Sequence, residues 1–364
     1  MMCPKEKTEN KRKGGKNVYG MEPAELKSLF VSWGKPAYRG DQVFRWLYQK
    51  KAASFEEMTD IPGELAGKLN ETLGIQSLVC LKKLRSGDGA RKFLFGLEDG
   101  RRIETVFIPE AGRRTVCVST QVGCKIGCPF CVSGSGGFIR QLTTHEIVTQ
   151  VLEAARLTGE EISNIVFMGI GEPLDNTVHV LRAVRILNHP LGMKIGARRI
   201  TISTCGLIPG IETLRDFDLQ VKLSVSLHAV KNDLRDRLVP VNRTYPLEKL
   251  MAALEDYDRT KGRLVTLEYA LISGINDSDA DASRLAGLAG KIKAKVNLIP
   301  CNPGMGDAFR APSGNRTYSF KRILEDRKIT VTRRNTKGRD ILAACGQLVF
   351  DREPEAAESN GKEK

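Results

Sequence analysis

Residues 123–131 read GCKIGCPFC and place three cysteines, Cys124, Cys128 and Cys131, directly after a strand-like run, TVCVST (115–120). From this run to about residue 333, short strand-like runs alternate with helical patterns. Such alternation indicates an α/β fold with a parallel sheet wound as a complete or partial barrel. The three thiols then lie in the loop that follows the first barrel strand.

The other barrel strands are predicted from runs rich in β-branched residues and bounded by turn signals. They are NIVFMG (164–169), RRITIST (198–204), VKLSVSL (221–227), RLVTLEYAL (263–271), KVNLIP (295–300) and ITVTR (329–333). Mostly small or polar residues, with Leu227 among them, stand where several of these runs end: Gly171, Glu172, Ser203, Ser226, Leu227, His228, Cys301 and Asn302. The carboxyl ends of barrel strands converge on one face, so we expect one large site there.

The chain is basic, with 57 Lys and Arg against 43 Asp and Glu and a formal net charge of +14. That excess favours a polyanionic partner, usually nucleic acid, although a basic surface kept for solubility is the alternative. No apolar run approaches the roughly 20 residues that span a bilayer, which excludes a membrane protein. The first residues lack the apolar centre of a secretory signal, so we expect a cytoplasmic protein with reduced or metal-bound thiols.

Changes in composition and in predicted secondary structure along the chain divide it into five segments. They are a basic disordered tail (1–16), a helical accessory domain (17–76), small antiparallel strands leading into the barrel (77–112), the barrel (113–348) and a polar tail (349–364). The helical stretch RGDQVFRWLYQK (39–50) mixes basic and aromatic side chains. This face is suited either to phosphates and stacked bases or to core aromatics with solvated charges outside.

Three kinds of site compete for the cysteine loop. Structural zinc needs four ligands, commonly in two pairs, and no second pair exists, although Cys117 and His145 could each supply one ligand. A disulfide framework is disfavoured by the compartment and by the size of the chain. An iron–sulfur cluster held by three thiolates leaves one iron open to a small molecule, and we favour that cluster.

The cysteine motif resembles that of the radical S-adenosylmethionine superfamily, with CxxxCxxC spacing and an aromatic residue, Phe130, before the last cysteine. Further motifs resemble the RlmN/Cfr family of RNA adenosine methyltransferases, from about residue 21 to 348. They are MGIGEP (168–173), ITISTCG (200–206), SLHA (226–229), RDRLVPVN (235–242), NLIPCNP (297–303) and AACGQL (343–348). The resemblance implies a partial (β/α)6-type radical S-adenosylmethionine barrel with a small N-terminal helical accessory domain.

The resemblance also implies the cofactors. Cys124, Cys128 and Cys131 match the ligands of a [4Fe–4S] cluster, whose open iron binds S-adenosylmethionine. One electron then cleaves the sulfonium and releases a 5′-deoxyadenosyl radical, and each turnover uses two molecules of S-adenosylmethionine. The positions that match the family's other cofactor contacts are Gly171, Glu172, Ser203, Ser226, Leu227, His228 and Asn302.

Three further residues are implied in the reaction itself. Cys345 matches the cysteine that the family methylates and whose S-methyl carbon is then added to adenine. Glu104 matches the proton acceptor, and Cys117 matches the thiol that displaces Cys345 as a disulfide. Taken alone, Glu104 is interpreted as a surface carboxylate and Cys117 as a small buried apolar residue. Four other cysteines are interpreted as structural: Cys3, Cys80, Cys205 and Cys301.

The implied substrate is RNA: an adenine of 23S ribosomal RNA in the peptidyl transferase centre, and the anticodon loop of certain tRNAs. The implied electron donor is a reductant such as flavodoxin or ferredoxin. Basic residues near strand ends and before Cys345 are candidates for phosphate contacts, which position RNA without reading its sequence. They are Arg113, Arg114, Arg333, Arg334, Lys337 and Arg339.

The position of the methyl group separates the two branches of the family. We expect methylation of adenine C2, because Val122 stands where Cfr examples tend to carry a cysteine. Two residues depart from common RlmN forms: Ile170, where methionine is usual, and Cys301, where tryptophan is common. The alternatives are a Cfr-type C8 methyltransferase that confers antibiotic resistance, and a non-catalytic RNA-binding protein with a structural metal site.

Overall fold

Three helices form the N-terminal part of the chain in the computed structural model, which describes residues 16–302 and 309–349. They are α1 (Pro23–Ser32), α2 (Tyr38–Tyr48) and α3 (Gly63–Thr72). A proline in the first turn and a capping box between Glu22 and Glu25 start α1, because they satisfy or remove amide donors that a helix leaves unpaired. Phe30, Phe44 and Leu69, one from each helix, are fully buried in a common core.

Helix α2 has some aromatic side chains in the core and others on a basic surface, so each of the two interpretations of its sequence holds for part of the helix. Tyr48 belongs to the core, and its hydroxyl donates to the carbonyl of Tyr19 over 2.8 Å. Tyr38 is half exposed, and the ammonium of Lys50 lies 3.6 Å from the centre of the Trp46 ring. The aromatic residues therefore divide between the interior and a surface that carries positive charge.

The rest of the described chain alternates between strands and helices. The strands are β1 (Val79–Arg85), β2 (Arg91–Gly96), β3 (Arg102–Glu110), β4 (Arg113–Cys117), β5 (Gln121–Gly123), β6 (Phe138–Gln141), β7 (Asn164–Phe167), β8 (Ile200–Thr204), β9 (Lys222–Ser226), β10 (Val265–Leu271), β11 (Ala294–Pro300) and β12 (Thr330–Arg333). The helices are α4 (Val132–Ser135), α5 (Thr144–Thr158), α6 (Thr177–Asn188), α7 (Ile208–Asp216), α8 (Asn232–Leu238), α9 (Leu247–Lys261), α10 (Asp279–Ala289) and α11 (Gly314–Asp326).

One sheet carries ten of these strands in the order β1-β2-β3-β4-β7-β8-β9-β10-β11-β12. Strands β1 to β4 pair antiparallel, and every pairing from β4 to β12 is parallel. The sheet is a curved, partial barrel whose edges are β1 and β12 in the part of the chain that is described. The predicted fold class, a partial α/β barrel with an N-terminal helical region, is confirmed.

The two faces of the parallel strands differ in chemistry. In β9, Leu223 and Val225 are buried in the apolar core under the helices, whereas Lys222, Ser224 and Ser226 point to the concave side. The same alternation runs through β10 and β11, because successive side chains of a strand point to opposite faces. The concave side is therefore polar toward the amino ends of the strands, and it borders open space.

Several details differ from the sequence-based expectations. The antiparallel strands are not a separate small sheet, since β3 pairs directly with β4 from Val106 with Cys117 to Glu110 with Arg113. Strand β4 ends at Cys117, and a short hairpin of β5 and β6 then brackets the cysteine loop. Helix α8 was not predicted. Within the described residues, no helix has the length and apolar character that crossing a membrane requires.

Candidate functional site

The cysteine loop is held in place by backbone hydrogen bonds. The amide of Cys124 donates to Gly137 over 2.9 Å, which joins the two ends of the loop beside the β5–β6 hairpin. The amide of Cys131 donates to Cys128 over 3.0 Å, and Gly127 between the first two cysteines has a φ of 68°. A glycine adopts this left-handed conformation without strain, so the loop can turn tightly between its thiols.

The loop forms one wall of a cavity at the carboxyl ends of the parallel strands, here named the cysteine cavity. It contains about 1060 Å³ of space between protein atoms, its open mouth included. Its lining includes the three loop cysteines and residues from four strand ends: Gly171, Glu172, Ser203, Ser226, His228 and Asn302. The strand ends therefore converge as their positions in the sequence indicate.

Two glycines bring the end of β7 against the segment before the cysteine loop. A β-carbon at Gly169 would lie 2.6 Å from the carbonyl oxygen of Val118, and one at Gly171 would lie 2.5 Å from Cβ of Gln121. Gly171 also has a φ of 102°, which other residues rarely adopt. The MGIGEP motif thus requires glycine for close packing and for the turn that directs Glu172 into the cavity.

Glu172 is 2% exposed, and its carboxylate accepts hydrogen bonds from the amides of Cys205 and Leu174 at 2.7 and 3.0 Å. Burial raises the pKa of Glu172 to about 7, and these hydrogen bonds lower it only in part. The carboxylate lies within a cavity lined largely by apolar atoms. Such a group gains strongly from a positively charged ligand.

His228 is a neutral, oriented side chain of the cavity wall. Its Nδ1 accepts a hydrogen bond from the amide of Ala270 over 2.9 Å, so the ring hydrogen lies on Nε2. Burial lowers the pKa of His228 to about 3, and the ring meets Phe130 edge to face with centroids 5.0 Å apart. The residue has a φ of 56°, a conformation that is uncommon outside glycine. Nε2 is thus a hydrogen-bond donor at neutral pH.

Asn302 links this cavity to the segment that carries Cys345. Its Nδ2 donates to the carbonyl of Cys345 over 3.1 Å, while its buried Oδ1 has no hydrogen-bond partner among the described residues. The cysteine loop holds the same segment, because the amide of Val132 donates to Gly346 and the hydroxyl of Ser133 donates to Leu348. Cys345 is fixed at the edge of the cysteine cavity, next to an amide oxygen that lacks a donor.

A second cavity, here named the strand cavity, opens along the concave side of the parallel strands toward their amino ends. It contains about 1600 Å³ of space between protein atoms, its open mouth included. Polar strand residues line it: Thr115, Asn164, Thr201, Ser224, Thr266 and Asn297. Cys117 lines only this cavity, whereas Cys345, Met168, Glu268, Arg334 and Leu348 line both. The two cavities therefore meet around Cys345.

The strand cavity carries excess positive charge. Of the basic residues predicted to contact phosphate, Arg113, Arg333, Arg334 and Lys337 line it, and sequence reasoning missed Lys222 and Lys295. Burial and the nearby charges of Lys295 and Arg113 lower the pKa of Lys222. Arg114 lies outside the lining and pairs with Glu160 at 3.1 Å, and Arg339 is exposed outside it.

Arg334 interacts electrostatically with both cysteines of this cavity. The charge of Cys345 is the main cause that raises the pKa of Arg334, with smaller contributions from Glu268 and Cys117. Burial, followed by the charge of Cys345, raises the pKa of the Cys117 thiol, and Arg334 lowers it only in part. Cys117 is therefore a protonated thiol at neutral pH.

Two residues predicted to take part in the reaction or in cofactor binding, Glu104 and Leu227, do not line either cavity. The interpretation of Glu104 as a surface carboxylate is wrong: it is 5% exposed, pairs with Lys92 at 2.9 Å and accepts from the amide of Val349 at 3.0 Å. Burial raises the pKa of Glu104. The side chain of Leu227 lies in the apolar core, and its amide donates to Glu268 while its carbonyl accepts from Arg235.

Two cysteines that were interpreted as structural, Cys205 and Cys301, line the cysteine cavity. Cys205 contacts Cys128, and the charges of Cys205 and Cys131 contribute to raising the pKa of Cys124 after burial. In the sequence, only the position of Cys205 directly after strand β8 could have indicated that it lies in the cavity. Cys3 lies outside the described residues.

The donors of the cysteine cavity fit an iron–sulfur cluster with a small polar ligand beside it. In residues 16–302 and 309–349, no three His, Cys, Asp or Glu side chains are placed so that they could bind one metal ion together. A cluster does not require that arrangement, because each thiolate binds a different iron atom. Three thiols of one loop, a buried carboxylate and the unpartnered oxygen of Asn302 suit a cluster and a cationic ligand.

Comparison with known proteins decides the family. Residues 118–286 match the model of the radical SAM superfamily, and residues 16–75 match the ribosomal RNA large subunit methyltransferase N-terminal domain. A probable dual-specificity RNA methyltransferase RlmN from Pelotomaculum thermopropionicum is 48% identical over 334 residues, which cover 91% of each chain. This chain belongs to the RlmN family.

Further relatives agree with the RlmN assignment. A dual-specificity RNA methyltransferase RlmN from Geobacter sulfurreducens is 46% identical over 332 residues, or 91% of each chain. A radical SAM methyltransferase from Sphaerobacter thermophilus has a solved structure that matches with a TM-score of 0.87 at 46% identity. That match covers 92% of this chain and 99% of the other. As an RlmN-family member, the chain is a methyltransferase of the radical SAM class, which uses S-adenosylmethionine and a [4Fe–4S] cluster.

Proposed function

We propose that this enzyme methylates carbon 2 of an adenine in RNA, with the methyl carbon carried on Cys345. The RNA targets are 23S ribosomal RNA and tRNA, in keeping with the dual specificity named for its relatives. The observation that carries the proposal is the position of Cys345, which lies where the cysteine cavity and the strand cavity meet. A thiol at that junction can receive carbon from one side and deliver it to the other.

In the cysteine cavity, Cys124, Cys128 and Cys131 hold the [4Fe–4S] cluster. The cluster and S-adenosylmethionine together supply methyl groups and radical chemistry, with one electron from a reductant such as flavodoxin or ferredoxin. Glu172 accepts hydrogen bonds from the amino group of S-adenosylmethionine. Side chains and backbone at four other strand-end positions complete the binding site: Ser203, Ser226, His228 and Asn302. Leu227 contributes through its backbone, since its side chain is in the core.

The strand cavity receives the target adenine after it is unstacked from the RNA, as enzymes that modify bases require. The cavity is open to solvent, and its lining offers hydroxyl and amide groups to the edges of a base. Arg113, Arg333 and Lys337 also line this cavity, and they would neutralise phosphates and orient the RNA without reading its sequence. Positive charge is thus concentrated where a polyanion approaches.

The chain's own residues complete the transfer. The Cys345 thiol would accept a methyl group from one S-adenosylmethionine. Radical chemistry supplied by the cluster and a second S-adenosylmethionine would remove one hydrogen atom from that methyl group, so that its carbon bonds to adenine C2, and the unpaired electron left on the adduct would return to the cluster. Glu104 accepts the proton that C2 loses. Cys117 then attacks the sulfur of Cys345: an S–S bond forms, the S–C bond breaks, and the carbon takes a proton to become the methyl group. An added reductant must restore both thiols before the next cycle.

Identification of the methylated base tests this proposal. Purified enzyme, reconstituted under anaerobic conditions, is incubated with a ribosomal RNA fragment, S-adenosylmethionine and a reductant, and the nucleosides are separated by mass spectrometry. We expect 2-methyladenosine. 8-Methyladenosine would show the reaction of the Cfr branch instead, and RNA that is bound but never methylated by a cluster-loaded protein would contradict the enzymatic function.

Replacement of Glu172 by glutamine should raise the Kd for S-adenosylmethionine about 10- to 100-fold, because a hydrogen bond to a charged group contributes roughly 1.5–3 kcal/mol. The affinity of the unchanged enzyme should fall as the pH decreases below about 7, since protonated Glu172 no longer attracts an ammonium group. Equilibrium binding from pH 6 to 8 measures both effects.

The control for this variant is Glu255→Gln, at an exposed position of α9. It should change neither the affinity nor its dependence on pH. If Glu172→Gln binds S-adenosylmethionine as tightly as the parent protein at every pH, Glu172 does not receive the amino group.

A further inference from the structure

Arg235 in helix α8 is a completely buried cation, with 0% of its surface exposed. Its guanidinium donates to three backbone carbonyls: to Cys205 at 2.7 Å, to Leu227 at 3.1 Å and to Ser226 at 3.4 Å. Its fourth bond goes to the side-chain oxygen of Asn242 at 2.9 Å. Hydrogen bonds satisfy the group, but all four acceptors are formally neutral.

No carboxylate among the described residues forms an ion pair with Arg235. The nearest acidic side chain in this network, Asp236, is one step removed: it accepts from Asn242 over 2.6 Å. Burial is the main cause that lowers the pKa of Arg235 to about 10, a strong change for a guanidinium. A charge that is buried without a partner is costly, and proteins rarely keep one. A negatively charged group bound nearby would therefore stabilise the Arg235 guanidinium, and no carboxylate of the described residues is in contact with it.

The position of Arg235 indicates which group that is. It bonds the carbonyl of Cys205, whose side chain lines the cysteine cavity together with Cys128 and contacts it. The surroundings are apolar, since Cys128, Leu238 and Val239 belong to one buried hydrophobic cluster. In such a medium water screens charges weakly, and interactions extend further than at the surface.

We propose that Arg235 is the counter-charge of the iron–sulfur cluster and stabilises its one-electron-reduced state. The inference depends on the proposed assignment of Cys124, Cys128 and Cys131 as cluster ligands. Three thiolates leave the doubly positive cluster core with a net negative charge, and reduction by one electron increases that charge. A fixed cation behind Cys205 favours the reduced form more than the oxidised form, so it raises the reduction potential. Charge near a cluster is one of the recognised determinants of its potential.

The test is a reductive titration of the reconstituted cluster, followed by electron paramagnetic resonance and without RNA. In Arg235→Gln, the ratio of reduced to oxidised cluster at a fixed potential should fall about tenfold, equivalent to 59 mV for a one-electron couple. Arg235→Lys keeps the charge and should stay within about threefold of the parent protein. Arg237→Gln, at an exposed position of the same helix, is the matched control and should not shift the ratio.

A second variant keeps Arg235 in place and shifts the potential in the opposite direction. Asp236→Asn removes the nearby negative charge, so the fraction of reduced cluster at a fixed potential should rise. This variant decides the question even if Arg235→Gln does not fold. Thermal unfolding adds an independent readout: Arg235→Gln should lose more stability with the cluster bound than without it. A role that is purely structural predicts equal losses in both states.

Unchanged ratios in Arg235→Gln and Asp236→Asn would overturn the inference while leaving the cluster assignment intact. A parent protein that binds no iron after reconstitution would overturn both.

Discussion

Replacement of Cys345 by alanine should reduce RNA methylation by at least about 10⁴-fold, the scale on which loss of a covalent nucleophile is observed. Cys345 lines both cavities, and no other thiol among the described residues does so. Without it, the methyl carbon has no carrier from the cysteine cavity to the strand cavity. The loss should therefore appear in the rate of methyl transfer and not in the affinity for RNA.

Measuring the cleavage of S-adenosylmethionine distinguishes loss of the methyl carrier from disruption of the whole cofactor site. Cys345 is outside the cysteine loop, so Cys345→Ala should keep the cluster and still produce 5′-deoxyadenosine in the absence of methyl transfer. Cys80→Ala, which changes a thiol outside both cavities, is the control and should retain full methylation. Methylation by Cys345→Ala at more than a few per cent of the parent rate would contradict a carrier role.

The cysteine cavity could be predicted from the sequence because its lining residues stand at the ends of runs that are recognisable as strands. Gly171, Ser203, Ser226 and Asn302 each follow a run of apolar, β-branched residues. The geometry of parallel strands then brings such ends together without any further information. Leu227 is the exception, because the alternation of strand side chains turns it into the core.

The strand cavity was not predicted, although the sequence carries a signal for it. The strand Lys222–Ser226 has polar residues at every second position, and Thr266 and Glu268 continue the pattern in the neighbouring strand. A closed barrel would fill those inward positions with bulky branched residues. Polar alternation in strands covered by helices therefore indicates an open, hydrated interior.

Other features depend on contacts between distant parts of the chain. The burial of Glu104 requires Lys92 across the antiparallel pair and Val349 at the far end of the described residues. Helix α8 places Arg235 next to Cys205. The sequence of α8 is short and highly charged, so its local pattern does not predict a helix. Pairing of this kind is not encoded in local patterns, so only the folded structure shows it.

Replacement of Cys117 by alanine should trap RNA on the protein through Cys345. The adduct would form as in the parent enzyme, but no thiol would be in place to break its S–C bond. Cys117 is 5% exposed and lies on the wall of the strand cavity with Cys345, so solvent thiols have little access to the adduct. After incubation with RNA and S-adenosylmethionine, a denaturing gel should show a nuclease-sensitive band of increased mass in Cys117→Ala but not in Cys80→Ala.

The pH dependence of adduct breakdown provides a second measurement on the parent enzyme. Burial and the charge of Cys345 raise the pKa of Cys117, so only a small fraction is thiolate at neutral pH. Because the thiolate is the attacking species, that fraction and the rate of adduct breakdown should rise about tenfold per pH unit between pH 7 and 9. Rapid quenching of a single turnover at several pH values measures this rate. A double variant, Cys117→Ala with Cys345→Ala, should form no adduct; a band that persists there would place the bond on another residue and contradict the pairing of these two thiols.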